Sequence, residues 1–277
     1  MERELGFFVA GGKGRVSRRT PDEVLARGDQ LNTDPERLVY VSKMSAKVDS
    51  AAVQDGYQLY HHVLFFDREG RWAVVQQGMN EENRYARRYH WLGLEPVDFV
   101  CEPHQAVCCD QKGETLNLVA WEGEANRKAS ASLAGEAPER LLKEYRRIEA
   151  LELPRHHAVT QAEVRSDYLS RILVSTYERR PENFEALLGI PGVGAKTLRS
   201  LSLLAELLYG AKPSFRDPAR LSYAHGGKDG HPYPVDRENY DRSIHFLRET
   251  LNAAKIGETD RKRAFERLNA FTGEGGR

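Results

Sequence analysis

The chain has little cysteine, no excess charge of either sign and no long hydrophobic run. Three cysteines in 277 residues are too few for a disulfide scaffold, and we expect a reducing, cytoplasmic location. The 41 basic residues balance 41 acidic ones, so any attraction to nucleic acid must be local. No apolar segment reaches membrane-spanning length and the N-terminus is not a signal peptide, so we expect no membrane partner.

Two halves of different pattern are present. In the first half, short apolar segments bounded by turns predict strands at 4–10, 38–42, 57–67, 71–79, 97–101, 106–109 and 116–121. The small, polar segment 126–137 predicts a linker or exposed loop, after which only helices are indicated. The expected class is α+β: a small mixed or antiparallel-sheet domain over 1–130, then an all-helical domain over 138–277.

Residues 182–209 have a pattern typical of a DNA-binding motif. A short helix is predicted at 182–188, and apolar residues recur at helical spacing over 198–208. Between the two helices, Ile190-Pro-Gly-Val-Gly194 predicts a tight turn, because glycine tolerates positive φ and lets another backbone come close. This arrangement resembles the helix-hairpin-helix of DNA-binding proteins. The alternative is a tight corner between two helices that binds nothing.

The chemistry of this turn suits a phosphate group. Its amides lie at the start of the second helix, where N–H groups and the helix dipole favour an anion. Two cations follow directly in the sequence. We therefore predict contact with double-stranded or damaged DNA by Gly192, Val193, Gly194, Lys196, Thr197 and Arg199.

A second basic segment, 83–91, interleaves arginines with aromatic residues. Aromatic faces stack on bases and arginine pairs with phosphate, which predicts contacts by Arg84, Arg87 and Arg88. The alternative places the tyrosines in the core and the arginines in solvent. The glycine-rich segment 225–231 can also approach a sugar-phosphate backbone, which adds Lys228.

A third cluster of polar residues, within 43–62, is interspersed with small apolar residues, as in a buried polar loop. Lysine, aspartate and histidine together can serve phosphodiester chemistry or a metal-assisted nuclease. The spacing matches no fixed metal site, so we predict neither a metal nor a cofactor. A satisfied buried hydrogen-bond network is the alternative. The residues are Lys43, Lys47, Asp49, Asp55, His61 and His62.

The pattern Leu-x-x-Ile-Pro-Gly-Val-Gly-x-Lys-Thr, with a later Val-Asp, resembles the helix-hairpin-helix DNA glycosylases of the endonuclease-three type. The resemblance implies that Lys196 attacks the sugar carbon of a damaged nucleotide and that Asp236 activates it. Such a lysine must be neutral, so we expect Lys196 to be partly buried beside the helix N-terminus, and a nearby carboxylate can take its proton. The alternative is that Lys196 only binds phosphate and Asp236 only caps a helix.

Longer segments over nearly the whole chain resemble a narrower family, the domain-of-unknown-function family 763 of archaea and bacteria. Members usually carry a further N-terminal segment, which we expect to be missing here. The resemblance implies no activity, but it implies that the two halves belong together. The segments are 9–14, 42–50, 54–62, 76–80, 85–91 and 224–236.

Three functions therefore stand as alternatives. The leading expectation is a DNA repair protein that acts on damaged or abasic duplex DNA as a glycosylase or lyase, using Lys196 and Asp236. The second is a DNA-binding module without catalysis. The third is a nuclease whose site is the 43–62 cluster. No protein partner is indicated by the sequence.

Overall fold

The computed structural model describes residues 6–93, 97–109, 111–148, 167–219, 237–254 and 256–272. Within these ranges lie seven strands: β1 (Phe7–Lys13), β2 (Val53–Gln54), β3 (Gln58–Asp67), β4 (Trp72–Met79), β5 (Ala86–Leu92), β6 (Ala106–Cys108) and β7 (Leu116–Asn117). The same ranges contain nine α-helices: α1 (Thr20–Leu25), α2 (Pro35–Lys47), α3 (Glu124–Ala134), α4 (Pro138–Ile148), α5 (Asp167–Arg179), α6 (Phe184–Gly189), α7 (Ala195–Tyr209), α8 (Arg237–Ala253) and α9 (Glu258–Thr272).

Five strands form one antiparallel sheet in the order β1-β3-β4-β5-β6, while β2 pairs with β7. The predicted hairpin between β3 and β4 is confirmed. Its turn forms because the Asp67 carboxylate accepts hydrogen bonds from the amides of Glu69 and Arg71, at 3.0 and 2.9 Å. Gly70 then adopts φ +76°, which disfavours a side chain. The mixed α+β class with an antiparallel sheet is confirmed.

The strand predicted at 38–42 is wrong, because these residues lie inside α2. The helix begins at Pro35 after Asp34, whose carboxylate accepts from the amide of Glu36 at 3.0 Å. Its buried residues include Leu38, Val41, Ser42 and Ser45, which recur at i, i+3, i+4 and i+7. Helical burial therefore overrides the strand preference of the local Val-Tyr-Val sequence.

The linker predicted at 126–137 is also wrong, since most of it forms α3. This helix packs against α7, and Asn126 donates to the carbonyls of Ser202 and Ala211 at 3.0 and 2.6 Å. Its alanines and serines favour a helix that lies close to its neighbour, which explains the small-residue composition. One hydrophobic cluster runs from Phe8 to Ala219 and includes residues from both predicted halves.

Two further strand predictions need correction. Residues 97–101 form no strand, because the Asp98 carboxylate accepts from the amides of Val100 and Cys101 and folds the segment into a turn. Of the strand predicted at 116–121, only β7 forms, and a 3-10 helix follows at Trp121–Gly123.

The segment α6–turn–α7 has the local structure that its sequence predicts. Asn183 caps α6 by accepting from the amide of Ala186 at 2.8 Å. Gly192 adopts φ +87° in the turn. Helix α7 ends at Tyr209 and is capped by Gly210, at φ +67°. The amide of Ala211 donates to the carbonyl of Ala205, as in a Schellman cap. Among the described residues, none of the helices combines the length and apolarity needed to cross a bilayer.

Candidate functional site

A cleft of about 720 Å³ opens where α2, the sheet and the turn before α7 meet. Helix α2 continues into a single π-helical turn, Val48–Ala52, a feature frequent at functional sites. A β-bulge between Leu59 and His61 bends β3 beside the cleft. The lining residues are Ser17, Arg18, Pro21, Tyr40, Ser42, Lys43, Met44, Ala46, Lys47, Ser50, Leu59, His61, His62, Gln76, Gly189 and Pro191.

The turn Ile190–Gly194, which we call the hairpin loop, is held against the end of α2. The ammonium group of Lys47 donates to the carbonyl of Ile190 at 3.2 Å and also to that of Val193. Burial lowers the pKa of Lys47, and the two carbonyls give its charge the partners that a half-buried ammonium needs. The hairpin loop therefore forms one wall of the cleft.

Gln54 makes a second set of hydrogen bonds, beside those of Lys47. The Gln54 side-chain amide donates to the carbonyl of Ala195 at 2.9 Å, and its oxygen accepts from Arg199 Nε at 2.9 Å. These bonds fix the start of α7 relative to β2. The predicted DNA contact Arg199 is thus already bound in part within the protein.

The cleft is cationic at its mouth. Arg18 and Lys43 are exposed there, and Lys47 is half-buried between them and the hairpin loop. Of the six residues in the predicted 43–62 cluster, Lys43, Lys47, His61 and His62 line the cleft. Both carboxylates of the cluster turn away from it and are buried.

Asp49 is fully buried behind the cleft. Its Oδ2 accepts from Gln76 Nε2 at 2.5 Å and from Trp91 Nε1 at 3.0 Å, and its Oδ1 contacts His104 Nε2 at 2.5 Å. Gln76 Oε1 in turn lies 2.9 Å from His62 Nδ1. Asp49 therefore acts on the cleft only through the side chains that contact it.

Asp55 belongs to a different buried cluster, centred on Arg87. The guanidinium of Arg87, 1% exposed, donates to Asp55 and Asp217 at 2.9 and 2.8 Å and stacks over the Tyr57 ring at 4.4 Å. Tyr89 also donates to Asp55, at 2.6 Å. Burial by itself lowers the pKa of Arg87, but the two carboxylates outweigh it and raise that pKa.

The arginines of the 83–91 segment are consequently not equivalent. Successive residues of β5 face opposite sides of the sheet, and Arg87 is enclosed while Arg88 is exposed. Arg84 is exposed in the preceding turn, at φ +61°. The predicted nucleic-acid contact by Arg87 is inconsistent with its enclosure, because its guanidinium holds carboxylates from two distant parts of the chain.

The predicted DNA-contact residues near α7 are placed as follows. Gly192 is exposed, Val193 is buried and Gly194 is half-buried. Lys196 is exposed in the first turn of α7, so the partial burial expected for it is wrong. Thr197, 1% exposed, faces the core. Asp236 and Lys228 lie outside the described residues.

No group of three or more metal-ligating His, Cys, Asp or Glu side chains occurs within the described ranges. Sequence reasoning missed Ser42, Gln76 and His104, which contact the predicted residues His62 and Asp49. One signal was available for Gln76, since the predicted β3–β4 hairpin sets His62 directly opposite it in the antiparallel register.

We expect His62 to make the protein less stable as the pH falls. Burial lowers the pKa of His62, the charge of His61 lowers it further, and Gln76 and Asp49 oppose this only in part. The unfolded chain therefore takes up a proton near pH 6.5 while the folded chain does not. Below that pH, the free energy of unfolding should decrease by up to about 1.4 kcal/mol per pH unit.

Urea unfolding of the wild type and His62→Asn between pH 5.5 and 8 measures this effect. The variant should be less stable at pH 8, but its stability should depend less on pH. Parallel pH profiles for the two proteins would contradict the assignment of the pH dependence to His62.

Comparison with known proteins gives one family. The model of the family described as "Protein of unknown function (DUF763)" matches residues 1–235. No curated protein and no solved structure matches the chain.

Proposed function

Because the chain belongs to the DUF763 family, whose description names no activity, we propose a function from the geometry of the site. We propose that the protein binds nucleic acid, with duplex DNA as the leading ligand, through the hairpin loop and the adjoining cleft. The segment 182–209 acts in this proposal as a helix-hairpin-helix motif.

The observation that carries the proposal is the contact of Lys47 with the hairpin loop. By holding the carbonyls of Ile190 and Val193, Lys47 makes the loop a wall of the cationic cleft. Two features found separately in the sequence, the Gly-x-Gly turn and the 43–62 cluster, thereby become one surface. A phosphodiester strand that contacts the loop would meet Arg18 and Lys43 next.

The loop also has space for a close approach by phosphate. A side chain at Gly194 would meet no heavy atom nearer than the Gly192 carbonyl oxygen, at 4.0 Å. Its backbone, at φ −134° and ψ −172°, is an ordinary extended conformation. The glycine is therefore not required by packing or by φ, and an open approach to the backbone explains it instead.

We expect Gly194→Val to fold and to bind duplex DNA roughly 10- to 100-fold more weakly, because the added side chain blocks a charge-assisted hydrogen bond to phosphate. Wild-type affinity should also fall steeply with salt, since each phosphate contact releases counterions. Fluorescence anisotropy with a labelled duplex at two or more salt concentrations measures both effects.

The matched control is Gly257→Val. Gly257 also directly precedes a helix, α9, and a side chain there would meet no atom within 4 Å. This variant should bind DNA as the wild type does. Equal binding by wild type and Gly194→Val at low salt would remove the hairpin loop from the interface.

A second candidate function, glycosylase or lyase chemistry at Lys196, is favoured by the position of that side chain. It is exposed one residue after the start of α7, so a nucleotide bound at the hairpin loop would lie within its reach. In this proposal Asp236 accepts the proton of Lys196, and the substrate is damaged or abasic duplex DNA.

A further inference from the structure

At the floor of the cleft, a serine is paired with a histidine. Ser42 Oγ lies 2.9 Å from His62 Nε2, and His62 Nδ1 lies 2.9 Å from Gln76 Oε1. All three side chains line the cleft and are buried, with 3%, 6% and 0% of their surface exposed. A nucleophile bonded to a base that a third group orients is the geometry of an activated serine.

The buried Asp49 determines the direction of each hydrogen bond in the series of side chains that leads from it to Ser42. Trp91 Nε1 can only donate, so Asp49 Oδ2 is an acceptor, and Gln76 must present its NH₂ group to the same oxygen. The other end of Gln76 is then its carbonyl, which requires N–H at His62 Nδ1. His62 Nε2 is consequently the lone-pair nitrogen, and the hydroxyl of Ser42 donates to it.

We propose that Ser42 is a catalytic nucleophile with His62 as its general base, and that the cleft hydrolyses phosphate esters of nucleic acid. The nucleic-acid substrate rests on the proposed function above, whereas the nucleophile rests on the hydrogen-bond geometry alone. Positive charge for binding the phosphate group is present, because Arg18 and Lys43 lie at the mouth of the cleft.

The reaction has two steps. Ser42 Oγ attacks phosphorus and transfers its proton to His62 Nε2, while the bond from phosphorus to the leaving oxygen breaks and that oxygen takes the proton from His62. Water then attacks the phosphoserine, gives a proton to His62 and releases Ser42, which regains its proton. The net change is hydrolysis of one phosphate ester bond, with no oxidant, reductant or other co-reactant.

Burial supports the role of His62, since it lowers the pKa of that imidazole. The ring is then uncharged at neutral pH and can accept the proton of Ser42. Asp49 is a positioning residue in this scheme, because it touches no substrate and acts through Gln76.

Gln76→Leu tests the positioning role. Leucine offers His62 Nδ1 no acceptor, so Asp49 no longer acts on the imidazole. The tautomer that leaves the lone pair on Nε2 loses its support, and fewer molecules hold Nε2 ready to accept from Ser42. We expect kcat to fall by about 10²- to 10⁴-fold, the usual contribution of general base catalysis, with KM unchanged. An equal change in kcat and KM would contradict this role.

The experiment on the nucleophile uses two probes and a matched pair of variants. The full chain is treated with a fluorophosphonate, and the modified residue is identified by peptide mass spectrometry. Hydrolysis of bis(p-nitrophenyl) phosphate, p-nitrophenyl phosphate and a labelled DNA duplex is measured in EDTA. Ser42→Ala is compared with Ser45→Ala, whose buried hydroxyl on the same helix donates only to the carbonyls of Val41 and Ser42.

We expect labelling at Ser42, and loss of labelling and at least 10²-fold slower hydrolysis in Ser42→Ala, with both retained in Ser45→Ala. The two p-nitrophenyl compounds distinguish a diester from a monoester site. An unlabelled wild type, or equal hydrolysis by wild type and Ser42→Ala, would overturn the proposal.

Duplex binding is measured on the same samples. Binding without cleavage overturns only the nucleophile, and cleavage of the small esters without binding overturns only the nucleic-acid substrate.

Discussion

Arg87→Met should lower the free energy of unfolding by about 3–5 kcal/mol. The guanidinium is enclosed between Asp55 and Asp217 and also donates to the carbonyl of Gln111 at 3.2 Å. Methionine fills much of the space but leaves two carboxylates buried without their cation, and an uncompensated buried charge costs about that much. Asp217 follows α7 in the chain, so the variant also removes the ion pair that joins that segment to β5.

Arg88→Met is the matched control, since it changes the neighbouring arginine on the exposed side of β5. Its unfolding free energy should stay within about 0.5 kcal/mol of the wild type. Urea denaturation of the three proteins gives the comparison. If the free energy of unfolding of Arg87→Met is less than about 1 kcal/mol below that of the wild type, the two carboxylates have found other partners or water.

Covalent trapping on abasic DNA should disappear completely in Lys196→Gln if the lyase proposal holds. An amine that attacks the sugar carbon forms a Schiff base, which borohydride reduces to a stable protein–DNA adduct. Glutamine keeps hydrogen-bonding capacity at the exposed start of α7, so binding of the duplex should persist. The measurement is the adduct band on a denaturing gel beside a binding titration.

Lys212→Gln serves as the control for this experiment. It makes the same exchange at an exposed lysine beyond the other end of α7, so trapping should persist. If the wild type forms no adduct while it binds the same duplex, the lyase is refuted and the site at Ser42 and His62 becomes the remaining catalytic candidate. Cleavage that persists in EDTA distinguishes the lyase and the Ser42–His62 site from a metal-dependent nuclease.

Local signals explain which parts of the fold were predicted correctly. The Asp67–Gly70 turn and the Gly-x-Gly turn each depend on residues only a few positions apart, and each forms where it was predicted. Local preference failed in α2 and α3. In both segments the burial of a helical face, which depends on distant neighbours, decided the structure. In α2 it outweighed the strand preference of the β-branched residues. In α3 it outweighed the loop preference of the small, polar residues.

The sequence by itself determined the α+β class, the β3–β4 hairpin and the two helices on either side of the Gly-x-Gly turn, because hydrophobic period, capping and turn glycines act over short distances. Only the tertiary structure decided which residues share a site. Ser42 meets His62 across 20 residues and Lys47 meets Val193 across 146. Such contacts depend on strand register and on how α2 packs against the sheet and the hairpin loop. The same packing determined that Arg87 is enclosed and Arg88 exposed, although both occupy one strand and carry the same side chain.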